Sequence, residues 1–150
     1  MTQNFFVDES GDPGLEGQAS SSSHFVITMV QLPARVSLRP LVHLRKALQV
    51  KTTFEFKYHT TTTLQKDLFF TEVLRIPFRV RAVALDKARI GVRWRNLHPS
   101  ELVTELIIHL TFRASELDIA NEVLIIDGAT PANALKILKG HGMNWTRIRV

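Results

Sequence analysis

The chain of 150 residues contains no cysteine. Disulfides and thiolate metal sites are therefore excluded, and the composition suits a reducing cytoplasm, the expected location. No apolar run approaches the roughly 20 residues that span a bilayer, so no membrane partner is expected. The first ten residues, MTQNFFVDES, have neither the basic start nor the long apolar stretch of a secretory signal. The six histidines, at 24, 43, 59, 98, 109 and 141, show no pairing with zinc-ligand spacing. No internal repeat is visible, and the length is that of a single domain spanning residues 1–150. Acidic residues are the minority charge. Fourteen Asp and Glu stand against nineteen Lys and Arg, and the resulting net charge of +5 invites a polyanion such as nucleic acid.

What the sequence does contain starts with FFVDESGDPG, residues 5–14. Three carboxylates fall within five positions after an apolar run, where like charges repel. Two explanations fit. The segment is a solvated turn, with Asp12 and Gly14 serving its geometry, or it is a cation site, since clustered oxygens hold hard divalent ions.

The pattern along the chain bears on that choice. QNFFVD (3–8) predicts a strand, and LEGQASSSS (15–23) a polar connection. HFVITMVQL (24–32) predicts a second, buried strand closed by Pro33. Pro40 falls in the first turn of a helix carrying Leu41, Leu44 and Leu48 on one stripe. TTFEFK (52–57) alternates briefly, and Thr60 to Thr63 supply caps for a helix running to about Arg75. FRVRAVALD (78–86) predicts a strand, with RIGVRWR after it as a hairpin partner. Pro99 opens a helix with Val103, Leu106, Ile107 and Leu110 on its apolar face. EVLIID (122–127) has the uninterrupted apolar run of a strand covered on both faces. Thr130 and Pro131 cap a helix over ANALKILKG, and WTRIRV predicts a last strand.

With residues 33–77 as a helical insertion, the order is three strands, helix, strand, helix, strand. The first three form an antiparallel meander, and the later two are parallel neighbours through right-handed crossovers. This is the order of the ribonuclease H-like fold, an α/β mixed sheet with helices packed on it. Asp8 and Asp127 then end neighbouring strands about 4.8 Å apart, close enough to share cations.

FVDESGD, HFVITMV, FEFK, ALDK and EVLIID together resemble a family of uncharacterised bacterial and phage proteins, domain of unknown function 3800. That family is placed in the ribonuclease H-like group, and the resemblance covers nearly the whole chain. It implies a metal-dependent nuclease-type site using Mg2+ or Mn2+. Asp8 would be the central ligand and Asp127 the second, Glu55 would add a carboxylate, and Lys57 would lie near a phosphate. Ser10 and Gly11 would shape the turn. Glu9 belongs to the same motif, but strand alternation turns it away from Asp8. Asp86 and Lys87 match the family's DK pattern without a defined role. The family continues into a helix with a further acidic residue, which this chain lacks after Val150; self-association through an uncovered sheet face or edge, as a homodimer, is the corresponding expectation.

Simpler roles remain open for several of these residues. Asp127 also suits the start of the turn DGATP, and Glu55 a solvated strand position. Glu101 and Glu105 fall opposite the apolar stripe of their helix and read as a solvated face. Arg79, Arg81, Lys87, Arg89, Arg93 and Arg95 alternate with apolar residues, with Trp94 among them. Such a row could track phosphates while the Trp stacks on a base, or it is the charged outer face of a half-buried sheet. Three functions are compatible: a metal-dependent nuclease acting on DNA or RNA, a non-catalytic nucleic-acid-binding or regulatory module, and a small-molecule enzyme on a related sheet.

Overall fold

Short runs rich in apolar residues lay out the strands Gln3–Ser10, His24–Pro33 and Val123–Ile126, with successive side chains on opposite sheet faces. The computed structural model describes residues 3–14, 22–112, 123–126, 136 and 147–149. In chain order its elements are β1 (Gln3–Ser10), β2 (His24–Pro33), α1 (Arg39–Ala47), α2 (Thr63–Val73), β3 (Arg79–Asp86), α3 (Val92–Arg95), α4 (Pro99–Phe112), β4 (Val123–Ile126) and β5 (Arg147–Arg149). They belong to two compact units. Met1–Ala34 with Arg79–Val150 form one, and Arg35–Phe78 form the other.

The first unit is built on a five-stranded sheet of order β3-β2-β1-β4-β5. β2 runs antiparallel to both β1 and β3, whereas β4 is parallel to β1 and to β5. Register places Phe5 opposite Gln31 and Leu124, and Val7 opposite Met29 and Ile126. These residues share one sheet face, which also carries Phe25 and Ile27. It packs against Leu102, Leu106, Ile107 and Leu110 of α4. Each such side chain contributes roughly 1.5–3 kcal/mol by leaving water. The apolar stripe of α4 runs through Leu102, which is fully buried, while Val103 is half-buried. The buried polar side chains Gln31, Thr104 and Thr111 are paired. The Arg81 guanidinium donates to Gln31 Oε1 at 2.8 Å, and the Thr104 and Thr111 hydroxyls donate to carbonyls of α4.

RIGVRWR does not pair with β3. Asp86 Oδ1 accepts from the Ala88 backbone N–H, the chain turns, and residues 92–95 form the short helix α3. Gly91 is extended at φ −69° and ψ 157° and starts the short helix, so the chain turns away from β3. Trp94 of α3 and Leu97 just after it pack partly buried against the core, while Val92 is 74% exposed.

In the second unit, Pro40 lies in the first turn of α1, as its fixed φ favours. Leu44 is the buried residue of that helix. Thr62 caps α2 through a reciprocal pair with Gln65. TTFEFK forms turns and coil instead of a strand. Its alternation is satisfied by aromatic packing: Phe54 meets Phe56 edge-on at 5.1 Å between centroids, and Phe56 lies 4.9 Å from Phe69 of α2. Among the described residues no helix is long and apolar enough to cross a membrane. The helix expected over ANALKILKG, apart from Lys136, lies outside the described residues, as do Asp127 and most of the polar connection at 15–23.

Candidate functional site

One corner of the sheet gathers the end of β1, the start of β2 and the end of β3. Ser10 pairs with Val26 and His24 with Asp86, so β1 runs two residues beyond Asp8 and does not end there. Asp8 is exposed and shares its sheet face with Phe6, opposite the face that carries Phe5 and Val7. One of its oxygens accepts from the Glu9 backbone N–H at 2.9 Å. Glu9 falls on the face of Phe5 and Val7, so the two neighbouring carboxylates project to opposite sides of the sheet.

The turn that follows has a structural cause for its composition. Gly11 has φ of +91°, and a Cβ there would stand 2.5 Å from the His24 carbonyl oxygen. The Ser22 hydroxyl donates to that carbonyl and accepts from the Asp12 N–H, tying the two chain segments together. Asp12 Oδ1 accepts from the Gly14 N–H at 2.9 Å. Asp12 therefore serves the turn, as one of the two sequence-level explanations held.

At the β3 end, Asp86 is engaged locally by the Ala88 N–H and by the Arg89 guanidinium at 3.4 Å. Lys87 donates its backbone N–H to the Ser23 carbonyl. Its Nζ is shielded from solvent and has no hydrogen-bond partner among the described residues. A covered ammonium without a partner is costly and uncommon. Nothing in the spacing of ALDK signalled it.

The other sequence candidates fall on several elements. Arg79 and Arg81 lie on the sheet face of Met29 and Gln31, with Arg81 bound to Gln31. Arg93 and Arg95 belong to α3, where Arg95 Nε donates to the Ile90 carbonyl. The four arginines therefore do not form one row along a hairpin, and Trp94 packs on the core instead of standing free. Glu101 accepts from the His98 backbone N–H at 2.9 Å and so closes the first turn of α4. Glu55 and Lys57 belong to the second unit, exposed and paired with each other at 3.0 Å. Among the described residues no group of three His, Asp or Glu side chains converges as a metal cage.

No protein-family model matches the chain, and no curated protein matches it. Among solved structures the chain is similar to RNase HII, known in its complex with PCNA from Archaeoglobus fulgidus. The TM-score is 0.55 at 14% identity, over 98% of this chain. The chain spans 61% of the length of that neighbour. A likeness at this identity shows the fold, and with the mixed sheet described above it establishes a ribonuclease H-like architecture.

Proposed function

We propose that the chain is a divalent-metal-dependent nuclease of the ribonuclease H-like kind, hydrolysing phosphodiester bonds of DNA or RNA. The observation that carries this proposal is the parallel pairing of β1 with β4. Val7 is opposite Ile126, and each of the two is followed in sequence by an aspartate, Asp8 and Asp127. In open α/β sheets, ligands bind outside the carboxyl ends of the parallel strands. The RNase HII neighbour, a ribonuclease by name, supports the reading at the level of fold. The motif FVDESGD supports it too, and membership of the domain of unknown function 3800 family is part of the proposal.

Carboxylate oxygens are the donors that hard cations such as Mg2+ or Mn2+ prefer. Asp8 presents them at the surface. Asp8 and Asp127 are the residues that would hold the metal, and a bound ion would acidify an attacking water and stabilise the leaving oxygen. The Glu9 N–H orients the Asp8 carboxylate, leaving its second oxygen for a ligand.

The test is cleavage of labelled DNA and RNA strands with Mg2+, with Mn2+ and with chelator. Metal-dependent cleavage is expected, with Asp8→Asn and Asp127→Asn each reduced to the level of chelated protein while circular dichroism is unchanged. Cleavage indifferent to chelator or to Asp8→Asn would overturn the proposal. A second reading, a non-catalytic nucleic-acid-binding module, is favoured by the net charge of +5, which attracts a polyanion without any cleavage. Binding without cleavage in either cation would identify it.

A further inference from the structure

We propose that the unit Arg35–Phe78 is a binding module for single-stranded nucleic acid, with Tyr58 as a base-stacking platform and Lys57 and Lys66 as its phosphate contacts. This deepens the nucleic-acid part of the function proposed above and is independent of the cleavage chemistry.

The first observation is where the charge lies. Eight of the nineteen Lys and Arg, but three of the fourteen Asp and Glu, fall in this unit. Its surplus of five equals that of the entire chain, and the remainder is balanced at eleven of each sign. By formal charge the surplus that attracts a polyanion therefore belongs to the small unit and not to the unit carrying the β3 arginines, to which sequence alternation pointed.

The second observation is local. Tyr58, the chain's one tyrosine, is 72% exposed. It is nevertheless held in a defined turn, because the Lys57 carbonyl accepts from the Thr60 N–H, the Thr61 N–H and the Thr61 hydroxyl. Lys66 of α2 places its ammonium 4.0 Å from the ring centroid. Lys57 precedes the ring in sequence and is engaged by an exposed carboxylate, Glu55, a weak pair that a phosphate can replace. An aromatic ring 72% exposed on a hydrogen-bonded turn, with Lys66 over one face and Lys57 next to it in sequence, offers stacking and phosphate contacts together at little ordering cost. Stacking of this kind needs an unpaired base, so single strands are the fitting ligand.

The experiment is fluorescence anisotropy of the 150-residue chain with labelled oligo(dT) and oligo(U) of about 15 nucleotides, in chelator so that cleavage plays no part. Duplex of equal length and heparin are the comparison ligands. Single strands should bind more tightly than duplex. Tyr58→Ala should weaken single-strand binding about tenfold while leaving heparin binding unchanged, and Tyr58→Phe should retain it. Lys66→Ala should lower the log–log salt slope by about 0.7. Lys136→Ala makes the same charge change at an exposed position of the other unit and should have no effect. Absence of binding by the unmodified chain, equal affinity for duplex, or unchanged affinity in Tyr58→Ala would each overturn the inference. So would concentration-dependent self-association abolished by Tyr58→Ala without oligonucleotide binding, which would assign the turn to a protein contact. Because metal is absent throughout, a failure here is separate from a failure of the nuclease proposal.

Discussion

The sheet unit and the inserted unit solve opposite problems. In the sheet unit, Phe5, Phe25, Ile27, Met29, Leu102, Ile107 and Leu124 are wholly removed from water, and the charges balance. The inserted unit buries Leu44 and Ile76 but leaves Leu64, Phe70 and Leu74 largely open, and it carries the positive surplus. A segment of that size cannot enclose a large core, so caps, ring contacts and turn hydrogen bonds carry more of its order. The contrast teaches that size divides the work here: the larger unit gains stability from packing, whereas the smaller one presents surface.

The hardest way to break that contrast is to empty the sheet core. Phe25→Ala should cost about 3–5 kcal/mol, a large part of the stability of an ordinary domain. Leu74→Ala, at a side chain 78% exposed, should stay within about 0.5 kcal/mol. Urea denaturation of both variants checks the difference. Similar losses would show that the exposed face of α2 is a packed surface.

Next in size is Gly11→Ala. Its left-handed φ and the close His24 carbonyl predict a loss of about 2 kcal/mol or more, read as a lower thermal midpoint. An unchanged midpoint would mean that the corner beside Asp8 is pliable. Within the inserted unit, Thr62→Ala removes one half of the α2 capping box and should cost about 1 kcal/mol. Hydrogen exchange should locate that loss in residues 62–73 and leave the amides of β1 and β2 protected. Spread of the effect into the sheet would show that the two units unfold together.

The smallest effect is expected at Glu55→Gln. Both partners of the Glu55–Lys57 pair are well exposed, so its loss should change stability by less than about 0.5 kcal/mol in denaturant titration. Removing that carboxylate should also strengthen oligonucleotide binding, since Lys57 then has no competing anion. Weaker binding would sharpen the comparison in the other direction, by giving Glu55 a direct role with the ligand.

Much of this architecture was legible in local sequence. FFVD and HFVITMVQL are short apolar runs bounded by polar residues, Thr60 to Thr63 are a readable helix start, and Pro99 opens the long helix where expected. Those signals are local because backbone hydrogen bonding and side-chain period act over a few residues. The succession of elements also specified the mixed sheet, since right-handed crossovers leave few other arrangements. What tertiary structure decided was whether an alternating stretch would find a partner strand and which charges would meet. RIGVRWR alternates like a strand, yet Trp94 packs against the core from the short helix Val92–Arg95. TTFEFK alternates as well, but its phenylalanines find other rings instead of a neighbouring strand. The opening acidic stretch was divided by the fold. Asp12 is committed to a turn hydrogen bond, Glu9 shares the face of the core residues, and Asp8 is left on the opposite, open side. A run of residues can state its charges and its spacing, but a pleated strand and a glycine turn decide where they point, because direction depends on register with partners distant in sequence.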